Sequence, residues 1–390
     1  MKKTTLLLFL LSFSLWAVPA WAQKEASIWY FGGGAGVSFA NPQEPQALKD
    51  SKMFSEEGSA VLSDAQGNLL FYTNGMQIWN RDRQLMANGS ELKGHESSTQ
   101  SSLILPKPGS SHLYYLFTTD FQGQSHGLQY HLIDLSKNNG LGEVTSKNNL
   151  IFAPVTEKLT AVRHQNGRDF WVITHRWNSS TFYAYLISPQ GITFKPVEST
   201  IGAMHTGDNG GTIGYMKASA AGNKLAVASW APLNKIEVFD FDNATGQVSN
   251  LVDLGKFDEA YGLEFSQDGS KLYGGKNGLN GGEARIFQFD LRAGSTDAII
   301  HSGKQIGKST SRKIGALQLA PDGRIYVARN ASNWLGVIRN PNALGMDSDY
   351  KDAGLSLGTQ KSEFGLPNFP GFYFQNIPAP TGFVVQQQQK

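Results

Sequence analysis

Short apolar runs alternate with glycine-bearing polar turns along this chain, and one strand-turn-strand phrase returns about every fifty residues. Its clearest copies read Glu264-Phe-Ser-Gln-Asp-Gly-Ser-Lys-Leu-Tyr273 and Leu317-Gln-Leu-Ala-Pro-Asp-Gly-Arg-Ile-Tyr-Val327. Asp-Gly suits a hairpin because glycine accepts positive φ and Asp can bond its own backbone. Weaker copies centre on Gly67, Gly109, Gly167 and Gly222, so six turn glycines, ending with Gly269 and Gly323, recur at steps of 42 to 58 residues. Each hairpin is followed by another alternating segment, such as Lys235-Ile-Glu-Val-Phe-Asp-Phe-Asp242 or Ala284-Arg-Ile-Phe-Gln-Phe-Asp-Leu291. Such alternation fits strands with one face buried against a neighbouring sheet. A period of this size with about four short strands per unit predicts an all-β fold, a β-propeller of the YVTN/WD-like repeat style.

Six units are readable, at 55–92, 98–145, 157–193, 211–250, 259–296 and 312–345. Half-units flank them: Ile28 to Phe39 before the first and Phe364 to Phe374 after the last. Pairing strands from both ends into one sheet would make a seven-bladed β-propeller and remove the exposed sheet edges. Six or eight blades stay compatible with the pattern. One propeller domain over 23–378 accounts for the chain, with a polar tail at 379–390 that reads as a disordered linker stub.

The first 22 residues have the form of a secretory signal peptide. Lys2-Lys3 precede an apolar stretch from Leu6 to Val18, and Ala20-Trp21-Ala22 is a small-x-small cleavage site. The apolar stretch is too short to span a membrane. Without this segment 32 basic side chains face 32 acidic ones, so nothing electrostatic draws the mature chain to nucleic acid. The chain has no cysteine, which excludes a lipid-anchored lipobox, thiol catalysis and disulfides. A secreted, periplasmic or extracellular protein is the expectation.

Several separated phrases carry a family resemblance. They are Trp29-Tyr-Phe-Gly, Glu57-Gly-Ser-Ala, Leu70-Phe-Tyr-Thr-Asn-Gly75, Ile78-Trp-Asn80, Ser98-Thr-Gln-Ser101, Pro106-Lys-Pro-Gly109, Gly214-Tyr-Met-Lys-Ala-Ser219 and Phe364-Gly-Leu-Pro367. Together they resemble the N-terminal propeller-like region of secreted and cell-surface proteins of Bacteroidetes, of the gliding-motility-associated, type IX secretion cargo kind. The resemblance covers almost the whole mature chain and implies a propeller exported toward the cell surface. The PKD-like modules and C-terminal sorting domain of such proteins have no counterpart in this sequence. The family supplies no catalytic residues to carry over.

Candidate chemistry falls into four groups. The polar loop His205-Thr-Gly-Asp-Asn-Gly-Gly211 could place His205 and Asp208 on a metal or a proton, or could simply be a turn that satisfies itself. The charged residues Glu57, Lys217, Glu264 and Lys313, with Glu363, are expected to converge on one mouth of the central channel. There they would form either a ligand site or an ion-pair network between blades. Trp177, Trp230 and Trp334 follow second strands beside polar neighbours, which suits sugar stacking, partner contacts or blade packing. Asp240, Asp242 and Asn243, and Asp347 with Asp349, could hold calcium but lack the EF-hand pattern. The histidines show no metal-ligand spacing. These observations favour a binding or scaffold module of the bacterial envelope or surface with a protein or glycan partner. The alternative is a lactonase-like hydrolase or lyase with its site at the channel mouth.

Overall fold

The computed structural model describes residues 24–375, so the signal segment and the polar tail lie outside the described residues. Seven antiparallel sheets stand around one axis as the blades of a propeller. Six begin with inner strands at Ala60–Ser63, Ser102–Pro106, Val155–Arg163, Met216–Ala218, Ala260–Phe265 and Ile314–Leu319. Each inner strand turns into the next through the recurrent hairpin, where all six expected glycines have positive φ, between 66° and 92°. In the fullest copies the glycine N–H closes the turn on the residue three back, as Gly269 does on Ser266 and Gly323 on Ala320. A side chain there would strain the backbone.

The first blade shows how the ring shuts. Ile28–Phe31, Ala35–Ser38 and Gln46–Leu48 form a three-stranded sheet, and the C-terminal stretch supplies its inner position. Lys361 bridges Gly33, the Ala316 N–H donates to Phe364 O, and the N–H groups of Phe364 and Asn368 donate to Glu56 O and Ser59 O. Residues 364–369 therefore sit between the inner strands of the last and second blades. The two chain ends share one blade, as the half-units implied. Trp29 secures the junction, with ring contacts to Phe39, Tyr326 and Phe369.

The readable units stop short of the outermost strands. Glu143–Phe152, Val197–His205, Gln247–Lys256, Lys304–Lys308 and Tyr350–Ser356 complete blades beyond or across the expected ends. These strands are largely solvated, so their side chains carry little apolar alternation. A short helix, Thr296–His301, capped by the Ser295 side chain, precedes one of them.

Two amides cross the channel and tie four blades together. Gln100 Oε1 accepts from the N–H of Met216 at 2.7 Å and of Leu159 at 3.3 Å. Its Nε2 donates to Met216 O and to Asn368 Oδ1, both at 3.1 Å. Asn368 Nδ2 then donates to Leu159 O at 3.0 Å and Ser102 O at 3.2 Å. Every polar atom of the two side chains is engaged, in a place where an unmet backbone group is costly. Asn368→Ala removes the donor to both carbonyls and one of the four Gln100 bonds, and should cost about 2–3 kcal/mol. Urea unfolding would show this as a lowered midpoint; an unchanged midpoint would mean the amide pair does not hold the ring.

Candidate functional site

Counting back from the turn glycines gives the register of the site. The residues ten positions ahead of Gly67, Gly109, Gly167, Gly222, Gly269 and Gly323 are Glu57, Thr99, Glu157, Thr212, Glu259 and Lys313. They stand where the inner strands begin, around one mouth of the channel. Neighbouring blades touch there through the Gly58 N–H to Ser98 O and the Gln100 N–H to Glu157 O.

A cleft of about 230 Å³ opens at this mouth. Ile213, Trp230, Tyr261, Leu279 and Phe364 give it apolar and aromatic walls, while Glu56, Glu57, Asn277 and Lys313 add charge and hydrogen-bonding groups. The Tyr261 hydroxyl donates to Glu57 Oε2 at 2.7 Å. Lys313 holds its ammonium 5.9 Å from the centre of the Phe364 ring.

Beneath the cleft lies a buried polar layer. Glu157 Oε2 accepts from the Thr99 N–H at 2.9 Å and the Thr99 hydroxyl at 2.5 Å, and Oε1 accepts from the Gln122 N–H at 2.8 Å. Burial, and then the Glu157 charge, push the Glu57 carboxyl well above the usual carboxylate range. Burial raises Glu157 as well, against the bonds from Thr99 and Gln122. Two carboxyls close together in a low dielectric resist ionising together. Lys158 is fully buried and donates to Thr212 O at 3.1 Å and Ile213 O at 3.0 Å. Burial pushes its ammonium down to about 7 in spite of Glu157 and Glu237.

The structure brings together three of the expected residues, Glu57, Trp230 and Lys313. Lys217 and Glu264 are not with them. They form a buried ion pair at 3.3 Å, completed by Lys217 Nζ on Gln318 Oε1 at 2.5 Å. The reason is register: Lys217, Glu264 and Gln318 stand five residues ahead of their turn glycines, not ten. That offset is about 16 Å along a strand, so the expected convergence of all the charges on one mouth does not occur. Glu363, the fifth of that set, accepts from the Asn330 amide at 2.8 Å.

His205 and Asp208 separate too. His205 ends its strand inside the protein, its ring 4.1 Å from that of His175, while exposed Asp208 accepts from the Gly210 N–H at 3.1 Å and caps a short turn. Trp177 is buried, its indole fitting against Gly123 and Gly211, where a Cβ would collide with it. Trp334 is 42% exposed at the start of Trp334–Ile338 and lines no wall of the cleft. The acids considered for calcium have other partners: Asp240 meets Lys224 and Asp349 meets Lys351, both at 2.7 Å, and Asp242 caps the turn to Thr245. Among the described residues, no group of three His, Asp or Glu could hold a metal ion, and no helix is long and apolar enough to cross a membrane.

Sequence reasoning passed over Glu157, Lys158, Asn277 and the wall-forming role of Phe364. The first was within reach. Counting ten positions back from Gly167 selects Glu157.

The opposite end of the ring is covered by the Gly371–Phe374 turn, which buries Phe372, Tyr373 and Phe374. Hollows of about 230 and 250 Å³ flank Phe372 there. Two of the charges there serve the fold itself: Asp64 closes its own hairpin and the Arg163 guanidinium lies 5.0 Å over the Phe372 ring.

No protein-family model matches the chain, and no curated protein matches it. Solved structures with a similar course include a functionally unknown protein from Desulfotomaculum acetoxidans, 13% identical over 86% of this chain and 95% of that one, TM-score 0.45. A candidate 6-phosphogluconolactonase from Bacteroides uniformis is 11% identical over 83% of this chain and 93% of that one, TM-score 0.48. A virginiamycin B lyase from Staphylococcus aureus is 11% identical over 78% of this chain and 84% of that one, TM-score 0.40. At such identities no residue role passes from those proteins to this one.

Proposed function

We propose that this seven-bladed propeller is an exported binding module of the bacterial envelope or cell surface that engages a protein or a glycan through the channel-mouth cleft. One observation carries the reading. Three aromatic side chains, Trp230, Tyr261 and Phe364, share a concave site with Glu56, Glu57, Asn277 and Lys313. Amphipathic clefts of this composition stack on a ligand's flat face while a few polar groups orient it. Tyr261 stands on an inner strand, Trp230 follows a second strand and Phe364 is held by the closing stretch, so the site is largely formed before a ligand arrives.

The reading predicts that Trp230→Ala lowers affinity about tenfold or more, as loss of a central aromatic contact does. Trp334→Ala, away from the cleft, should leave it unchanged. Calorimetry of the mature protein against ligands recovered from a glycan array and envelope extracts would measure both. Equal effects of the two substitutions would move the site elsewhere.

A further inference from the structure

Resting on that reading, we infer that the cleft selects a cationic group, a primary ammonium or guanidinium, with Glu56 and Glu57 as counter-charges and Trp230, Tyr261 and Phe364 as the surrounding walls. Charge accounting supports this. Glu56 is exposed at the rim, Glu57 lines the wall and Glu157 lies directly behind it. Among the described residues, no Lys or Arg nitrogen comes within ion-pairing distance, 4.0 Å, of any of the three. Lys158, buried and next to Glu157 in sequence, donates to two backbone carbonyls. Elsewhere in the protein buried carboxylates are either paired with a cation, as Glu264 is with Lys217, or met by backbone N–H groups, as Glu237 and Glu259 are. The mouth is therefore short of positive charge where a ligand would sit.

The walls fit the same chemistry. Aromatic faces attract cations through the ring quadrupole, most strongly where water is partly excluded. The protein already uses one face this way, since Lys313 places its ammonium over Phe364. Lys313 thus competes with an incoming cation for that ring and repels it. A neutral sugar would stack on the same walls but would leave the carboxylates uncompensated.

Affinity should also depend on pH. The groups facing Glu57 are Glu56, Glu157, Ser97, Thr99, Tyr215 and Tyr261, with Lys313 across the cleft. Crowded carboxyls hold protons to higher pH than free ones, and each proton lost strengthens the hold on a cation. Binding of a lysine-type ammonium or a guanidinium, whose own charge does not change in this range, should therefore tighten from pH 5 to pH 8.

Isothermal titration of the mature protein at low salt tests the inference with two amines and their acetylated controls. The amines are Nα-acetyl-lysinamide and glucosamine; the controls are the Nε-acetylated peptide and N-acetylglucosamine. Binding of an amine that acetylation abolishes is expected, and which amine binds tells a protein side chain from an amino sugar. Glu57→Gln should weaken it about tenfold, and Lys313→Met should strengthen it about threefold or more. The opposite signs guard against misfolding, since a damaged variant does not bind more tightly. Equal binding of free and acetylated forms, or Trp230-dependent binding of a neutral saccharide alone, overturns the cationic selection while the cleft stands. If no ligand's binding responds to Trp230, both the selection and the cleft reading fall.

Discussion

Lys217→Met is expected to destabilise the protein by about 4 kcal/mol, the usual cost of breaking a buried ion pair from one side. Lys217 and Glu264 are 3% and 5% exposed, joined at 3.3 Å, and belong to inner strands of adjacent blades. Burial drives Lys217 down and Glu264 up from their ordinary values, each in spite of the other's charge. Desolvation thus outweighs their attraction, and a survivor left alone has no compensation. Glu264 would still accept from the Phe265 and Leu319 N–H groups, but its charge would be stranded. The signature is in the pH dependence. A carboxyl whose folded pKa lies above its unfolded value binds its proton more readily when folded, so stability is regained as pH falls. The Lys217→Met deficit should therefore shrink between pH 7.5 and 5, and Lys217→Met/Glu264→Gln should be more stable than Lys217→Met alone. Urea unfolding at both pH values measures this. A deficit below about 1 kcal/mol would show the pair to be incidental to the ring.

Acid should act through the histidines. Burial holds His131 and His175 down to about 3, and holds His205, beside His175 and Lys158, well below the ordinary value. Their ring nitrogens fit neutral imidazoles: His131 Nδ1 accepts from the Asn148 N–H at 3.1 Å, and His175 Nδ1 lies 2.9 Å from Arg176 O. Once unfolded, each takes up a proton near pH 6.5. The stability they allow is thus fully present above that value and is lost progressively as pH falls toward 3. From pH 7.5 to 5 the loss is about 2 kcal/mol per histidine, or about 4 for His131 and His175 together. Glu57, Glu157, Glu237 and Glu264, all raised by burial, push the other way as they protonate in the fold. A comparison of variants isolates the histidines. His131→Gln/His175→Gln should lose about 4 kcal/mol less than the parent over that pH interval, whatever its stability at pH 7.5. An equal loss in both proteins would mean that the two rings are charged in the folded state.

The repeat was legible from the chain because it is local physics. A glycine with positive φ between apolar strands recurs at each of the six inner hairpins, with a flanking Asp or Asn in five of them. The same local signal held the cleft register, since the six positions ten residues ahead of those glycines ring the mouth. Glu57 and Lys313 were expected at the mouth, and Glu157 holds the same position ahead of Gly167. Solvated outer strands such as Gln247–Lys256 left a weak trace, because exposed residues answer to water more than to a neighbouring sheet.

What the tertiary structure alone decided is which distant residues meet. Trp177, Trp230 and Trp334 look alike in sequence, yet one fills a slot between glycines, one walls the cleft and one stays at the surface. Gln100 and Asn368, separated by 268 positions, share a hydrogen bond across the channel. Phe364 becomes a wall of the site only because the C-terminal stretch closes the first blade. The sequence by itself determined the blade, because a hairpin's turn and alternation are settled by neighbours a few residues apart. The site awaited the closed ring, because its charges and aromatic faces come from different blades and acquire a common environment only when those blades surround one axis.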